Sequence, residues 1–235
     1  METKSPKEQQ VEAKLRKQVE DLASQCAADG DLPVRLLDIL LEHPEITALQ
    51  NYANTVSISR IGLNDHGPVH MKTVTRNALK ILGILHEAGV QTCVEKEQTG
   101  TFTDSIMAVM FAAMLHDSGM TIARKNHELY SGIICHTLIG DILQQLFPEE
   151  KDMMRRVVIR SLAMEGILGH MGSHPIHSIE AGVILHCRWV RHDEGTRTHR
   201  IGNTYRTCRG RHAQILGPQH REGQDTPRRE KSTED

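Results

Sequence analysis

The sequence predicts an all-α protein, and three observations carry that reading. Aromatic residues are only 3% of the 235-residue chain against 38% hydrophobic, so a core must be built from Leu, Ile, Val, Met and Ala. That palette suits packed helices better than a β-sandwich. Apolar residues recur at helical spacing in segment after segment, and no segment alternates as a half-buried strand does.

The elements follow in order. Residues 6–29 predict a charged helix whose apolar positions Val11, Leu15, Val19 and Leu22 form a narrow stripe. Such a stripe lies on the domain or pairs with a second copy as a homodimeric coil, and two or three heptads are marginal alone. Pro33 opens LPVRLLDILLEHPEITALQNYAN, which predicts two short helices broken at Pro44. SRIGLNDHGPVH carries Gly62, Asn64, Gly67 and Pro68 and predicts a loop. Pro68 then begins a helix in which Val74, Ala78, Ile81, Leu82 and Leu85 share a face until Gly89 stops it. After the polar loop QTCVEKEQTGTFTD come a buried helix over 105–117, a helix ended before Pro148, another through GILGHM, and the start of one more at HSIEAGVIL. The organisation predicted is a charged N-terminal helix over 1–30, a helical domain over 31–185 and a basic tail over 186–235.

Charge and cysteines exclude several function classes. Lys plus Arg is 28 against 30 for Asp plus Glu, which predicts no nucleic-acid partner. The longest apolar run, Ile106 to Leu115, is too short to span a bilayer, so no membrane partner is expected. Five scattered cysteines without a CxxC pair, behind a polar N-terminus, predict reduced thiols and a cytoplasmic location.

Chemistry concentrates at FAAMLHDSGM. His116 and Asp117 sit at the end of the apolar run, where an ionised carboxylate is costly unless compensated. A divalent cation compensates it well, because imidazole nitrogen and carboxylate oxygen both ligate Zn, Mn, Fe or Mg-like ions. A capping Asp beside a satisfied core His is the bland alternative. His70 lies one turn before Val74, on the inward face of its helix, and adds a third converging group.

These residues carry a resemblance. HGPVHMKTVTRNALKIL, AAMLHDSG, NHELYSG and HSIEAGVIL, in that order over roughly residues 58–185, resemble the HD-domain superfamily of metal-dependent phosphohydrolases, and most nearly a branch of small bacterial and archaeal members. The resemblance implies an HD-domain-like helical bundle that hydrolyses a nucleotide or another small phosphate ester. It implies a divalent metal (Mn, Mg, Zn, Fe or Co) on His70, His116 and Asp117, with Asp117 also the catalytic residue. Two-metal members add histidines, for which His127 and His170 are the candidates; His66, His174 and His177 are not expected to be ligands. Lys72, Arg124 and Lys125 are candidates to neutralise substrate phosphate, with ordinary surface charge as the alternative. A non-catalytic HD-like module that senses a nucleotide or binds a partner is the competing function.

The family's last Asp follows a segment like HSIEAGVIL, commonly in a string of the type ADGSDMTKGRARI, whereas this chain continues HCRWVRHDEGTRTHRI. From residue 186 onward there are eleven Lys or Arg, five His, five Gly and four Val, Ile or Leu, the composition of a disordered or poorly packed tail. Reverse translation of 186–201 read one base later permits I-A-D-G-S-D-M-T-K-G-R-A-R-I, and RHAQILGPQHREGQD shifts to an ordinary amphipathic string. The chain is therefore read as out of frame from about His186, with the final carboxylate lost and activity impaired; a genuine basic tail is the alternative. Resequencing the gene is expected to reveal one extra base near codon 186. An unambiguous reading in the printed frame removes this explanation.

Overall fold

A computed structural model describes residues 4–26 and 29–187. All the described residues belong to one compact unit. The stretch read above as an out-of-frame tail lies outside the described residues, apart from His186 and Cys187.

The described residues are helical and contain no strand, as the composition predicts. In chain order the helices are α1 (Pro6–Ala23), α2 (Leu32–Glu42), α3 (Pro44–Thr55), α4 (Pro68–Glu87), α5 (Cys93–Lys96), α6 (Phe102–Leu115), α7 (His127–Leu146), α8 (Met153–Gly169) and α9 (Ile179–Cys187). Helix α6 is the axis of the fold. Every residue from Phe102 to Leu115 is buried, and α2, α4, α8 and α9 pack around it. A helix apolar on all sides has to be central.

Several ends are legible in the residues that make them. Ser5 caps α1 by accepting the Glu8 N–H at 3.2 Å, and Pro6 follows it. Gly89, at φ +72°, closes α4 in the left-handed conformation that glycine adopts without strain. Thr101 and Asp104 form a capping box on α6, and Asp104 also accepts from Arg155 Nε at 2.6 Å. At the entrance to α9, buried Glu180 accepts from the Cys93 N–H at 3.2 Å and from Ser105 Oγ at 2.8 Å, fastening α9 to α5 and α6.

Three elements differ from expectation. Ser59 and Arg60, expected to begin a loop, close a turn of π-helix over Val56–Arg60, and α5 interrupts the polar stretch before α6. The third is α9, which runs through Cys187, two residues into the stretch read as tail.

Helix α1 lies along the domain on α2 and α4. Leu15, Val19 and Leu22 are buried there, each worth about 1.5–3 kcal/mol, and that uses up most of the stripe a coil would need. Lys72 completes the docking. It is buried, not a surface charge, and its Nζ lies 2.7 Å from Glu8 Oε1 and 2.5 Å from Glu12 Oε2. Its charge is thus spent on α1. Replacing Lys72 by Met strands the Glu8 carboxylate and leaves Glu12 with Lys4 alone. The expected cost is about 1–3 kcal/mol, read as a lower urea midpoint, and an unchanged midpoint contradicts this docking.

Candidate metal centre

The site begins where α6 runs out. The last carbonyls of a helix lack intrahelical partners, and here side chains supply them. His116 Nδ1 lies 2.9 Å from Ala113 O; Gln50 Nε2 donates to Met114 O at 3.0 Å; Cys135 Sγ stands 3.9 Å from Leu115 O; Ser131 Oγ donates to His116 O at 2.5 Å. Ser131 Oγ also accepts the Gly119 N–H at 2.8 Å, so one hydroxyl grips both sides of the turn that presents Asp117. Glycine is required at 119, because a Cβ there would overlap His127 O and come within 2.6 Å of Ser131 N.

Five side chains meet at that turn. Asp117 Oδ2 lies 3.3 Å from His70 Nε2 and 3.1 Å from His116 Nε2; Oδ1 lies 3.1 Å from His127 Nε2 and 3.3 Å from His170 Nε2. The first turn of α4 contributes His70, the C-terminal end of α6 the doublet, the first residue of α7 His127, and the residue after α8 His170. The two groups His70–His116–Asp117 and Asp117–His127–His170 each bring three donor atoms within 4.8 Å of one another.

Proton positions decide what this cluster is. His116, His127 and His170 each turn Nδ1 to the carbonyl three residues earlier, at 2.9, 3.0 and 2.6 Å. A carbonyl only accepts, so Nδ1 carries the proton, and a neutral imidazole has no second one. When these rings are neutral, all three present bare Nε2 lone pairs to an anion. His127 Nε2 and His170 Nε2 face each other at 3.1 Å, which is no hydrogen bond between two lone pairs. His70 Nε2, His116 Nε2 and both Asp117 oxygens are buried without a hydrogen-bond partner. A cation held by the cluster would satisfy them. Ligands about 2.1 Å from a tetrahedral ion stand roughly 3.4 Å apart, close to the separations observed.

Electrostatics agree. Burial pushes the His116 imidazole down to about 4, against the opposing charge of Asp117, so the ring is neutral at neutral pH and its lone pair is available. Burial alone would raise the Asp117 carboxyl; positive charge on His116 and N–H donors at the Nε2 positions of His116, His127 and His170 hold it well below the usual carboxylate range, and where those rings are neutral a cation at the same positions would do so.

No family model matches the chain, and no solved structure does. It is similar to an uncharacterised protein of Methanocaldococcus jannaschii, 33% identical over 156 residues, which is 65% of this chain and 58% of that protein. The chain thus spans less than two thirds of that relative's length.

The remaining candidates separate cleanly. His174 and His177 are exposed in the α8–α9 loop, away from the convergence. His66, not expected in the site, is buried with its ring 5.6 Å from that of His70. Its Nδ1 is held 2.6 Å from Asn64 O, and burial pushes its imidazole below the usual range while the charge of Asp117 opposes this. Only its spacing of one helical turn from His70 could have signalled it. Arg124 and Lys125 are exposed, and the Arg124 charge reaches His66. The Ser131→Ala variant is expected to lose about 1–3 kcal/mol of stability and to bind divalent metal more weakly, measured by thermal unfolding with and without Mn²⁺. Unchanged unfolding in both conditions contradicts the clamp.

Proposed function

We propose that this chain belongs to a metal-dependent phosphohydrolase acting on a nucleotide or another small phosphate ester. His70, His116, Asp117, His127 and His170 are the proposed ligands of a divalent cation, Mn, Mg, Zn, Fe or Co. The observation that carries the reading is the ring of bare Nε2 atoms around a buried, ionised carboxylate. That arrangement supports a resident cation, and the motif order over residues 58–185 supports the phosphohydrolase class. When bound, such an ion lowers the pKa of water toward neutrality and polarises a phosphoryl oxygen. Asp117 divides its oxygens between the two histidine pairs, which supports a carboxylate shared by two ions. His70 is the partly exposed edge that a substrate would reach, with Arg124 as a nearby exposed positive charge for its phosphate.

A non-catalytic reading has one observation in its favour. The printed residues after α9 lack the carboxylate that completes the family's ligand set, so the chain would bind an ion and a nucleotide without turnover. Hydrolysis of a nucleotide panel with Mn²⁺, Mg²⁺, Zn²⁺ and Co²⁺ separates the two. The frame-corrected chain is expected to release phosphate, and His116→Ala and Asp117→Ala are each expected to lose both bound metal and activity. Metal retained in both variants, or no release with any ion, overturns the proposal.

A further inference from the structure

The two ligand groups share Asp117 but not its surroundings. On the Oδ2 side His70 is 27% exposed; on the Oδ1 side His127 is 2% and His170 0% exposed. His70 stands in the first turn of α4, after the loop 61–67, which is exposed at Ile61, Gly62, Asn64 and Asp65. His127 and His170 are enclosed between α7 and α8, which pack on each other, and the turn 118–121 packs on α7.

Two further contacts close the inner side. Gly119 lies against the backbone of His127 and Ser131 with no room for a Cβ. Ser173 Oγ, in the loop after α8, donates to Glu128 Oε1 at 2.8 Å, and Glu128 Oε2 lies 3.4 Å from His127 Nδ1. This loop-to-helix tie spans the two helices that bring the inner histidines.

We propose that the two groups hold metal unequally: Asp117 Oδ1 with His127 and His170 keeps a resident ion, while Asp117 Oδ2 with His70 and His116 takes an exchangeable ion that meets solvent and substrate. This rests on the metal reading above and deepens it. Release of an ion requires each ligand to be replaced in turn by water or a chelator. At the outer group His116 is fully buried and His70 Nε2 is covered, but the His70 ring is 27% exposed, so turning that one ring outward opens the ion to solvent without parting any helices. At the inner group α7 and α8 must part, so exchange is tied to local opening of the fold. Emptying the inner group also leaves two lone pairs facing each other across 3.1 Å, with no water-accessible position to turn to. The outer ion is thus the one that a chelator or substrate reaches first.

The test uses the full chain loaded with Co²⁺, freed of excess metal and challenged with EDTA, with bound cobalt per chain followed by mass spectrometry and visible absorption. Two phases are expected, one equivalent leaving rapidly and one retained until guanidinium unfolds the protein. His70→Gln, at the exposed position, is expected to abolish the rapid phase and keep the retained equivalent. His170→Gln is expected to abolish the retained one, with folding checked by circular dichroism; if it does not fold, His70→Gln decides alone. Loss of two equivalents in a single phase, or loss of the retained ion in His70→Gln, overturns the inequality while leaving the metal reading intact. A chain that binds no Co²⁺ overturns both.

Discussion

An ionised carboxylate with no solvent exposure governs the centre of this molecule. Asp117 sits where water cannot reach it, and removing a carboxylate from water costs several kcal/mol even after relaxation. Its position makes matters worse. It follows the C-terminal end of α6, where the helix macrodipole is negative, so the helix opposes the charge rather than capping it. Nearby rings offer no protons in return, because His116, His127 and His170 have committed theirs to backbone carbonyls. A cation held by the cluster would supply the compensation that those rings, when neutral, do not.

The same constraint explains the surroundings of the turn. For the chain to leave α6 in the interior, the last carbonyls must be satisfied without water. Gln50 from α3 and Cys135 and Ser131 from α7 do this together with His116 itself. Each bond that relieves a carbonyl also restricts the direction in which the doublet points. Helix termination and ligand positioning are therefore one problem here, solved by the same side chains.

What the sequence disclosed follows from range. The helices and their ends are local matters, and Pro44, Pro68, Gly89 and the apolar run before His116 announce them. His70, His116 and Asp117 could be placed on inward faces by periodicity alone. His127 and His170 needed a motif, since nothing local distinguishes a histidine at a helix end from a surface one. Gln50 and Met114 lie 64 residues apart, as do Glu8 and Lys72, and no periodicity foretells such partners. For the same reason Lys72 looked like an available charge, and His66 looked like a loop histidine.

Dispersal of the proposed ligands ties the site to the whole fold. They come from α4, α6, α7 and α8, and α4 is itself held from behind by Lys72 and α1. No pair of neighbouring helices contains a complete donor set for both oxygens of Asp117. The cluster therefore exists only once all four helices have packed, and before that the carboxylate is solvated and carries no penalty. Folding brings the unfavourable charge and its cage into being together, so a cation that binds the cage favours the folded state over every partly assembled one. The N-terminal helix, remote from the chemistry, belongs to that cooperative unit through Lys72, two residues from His70.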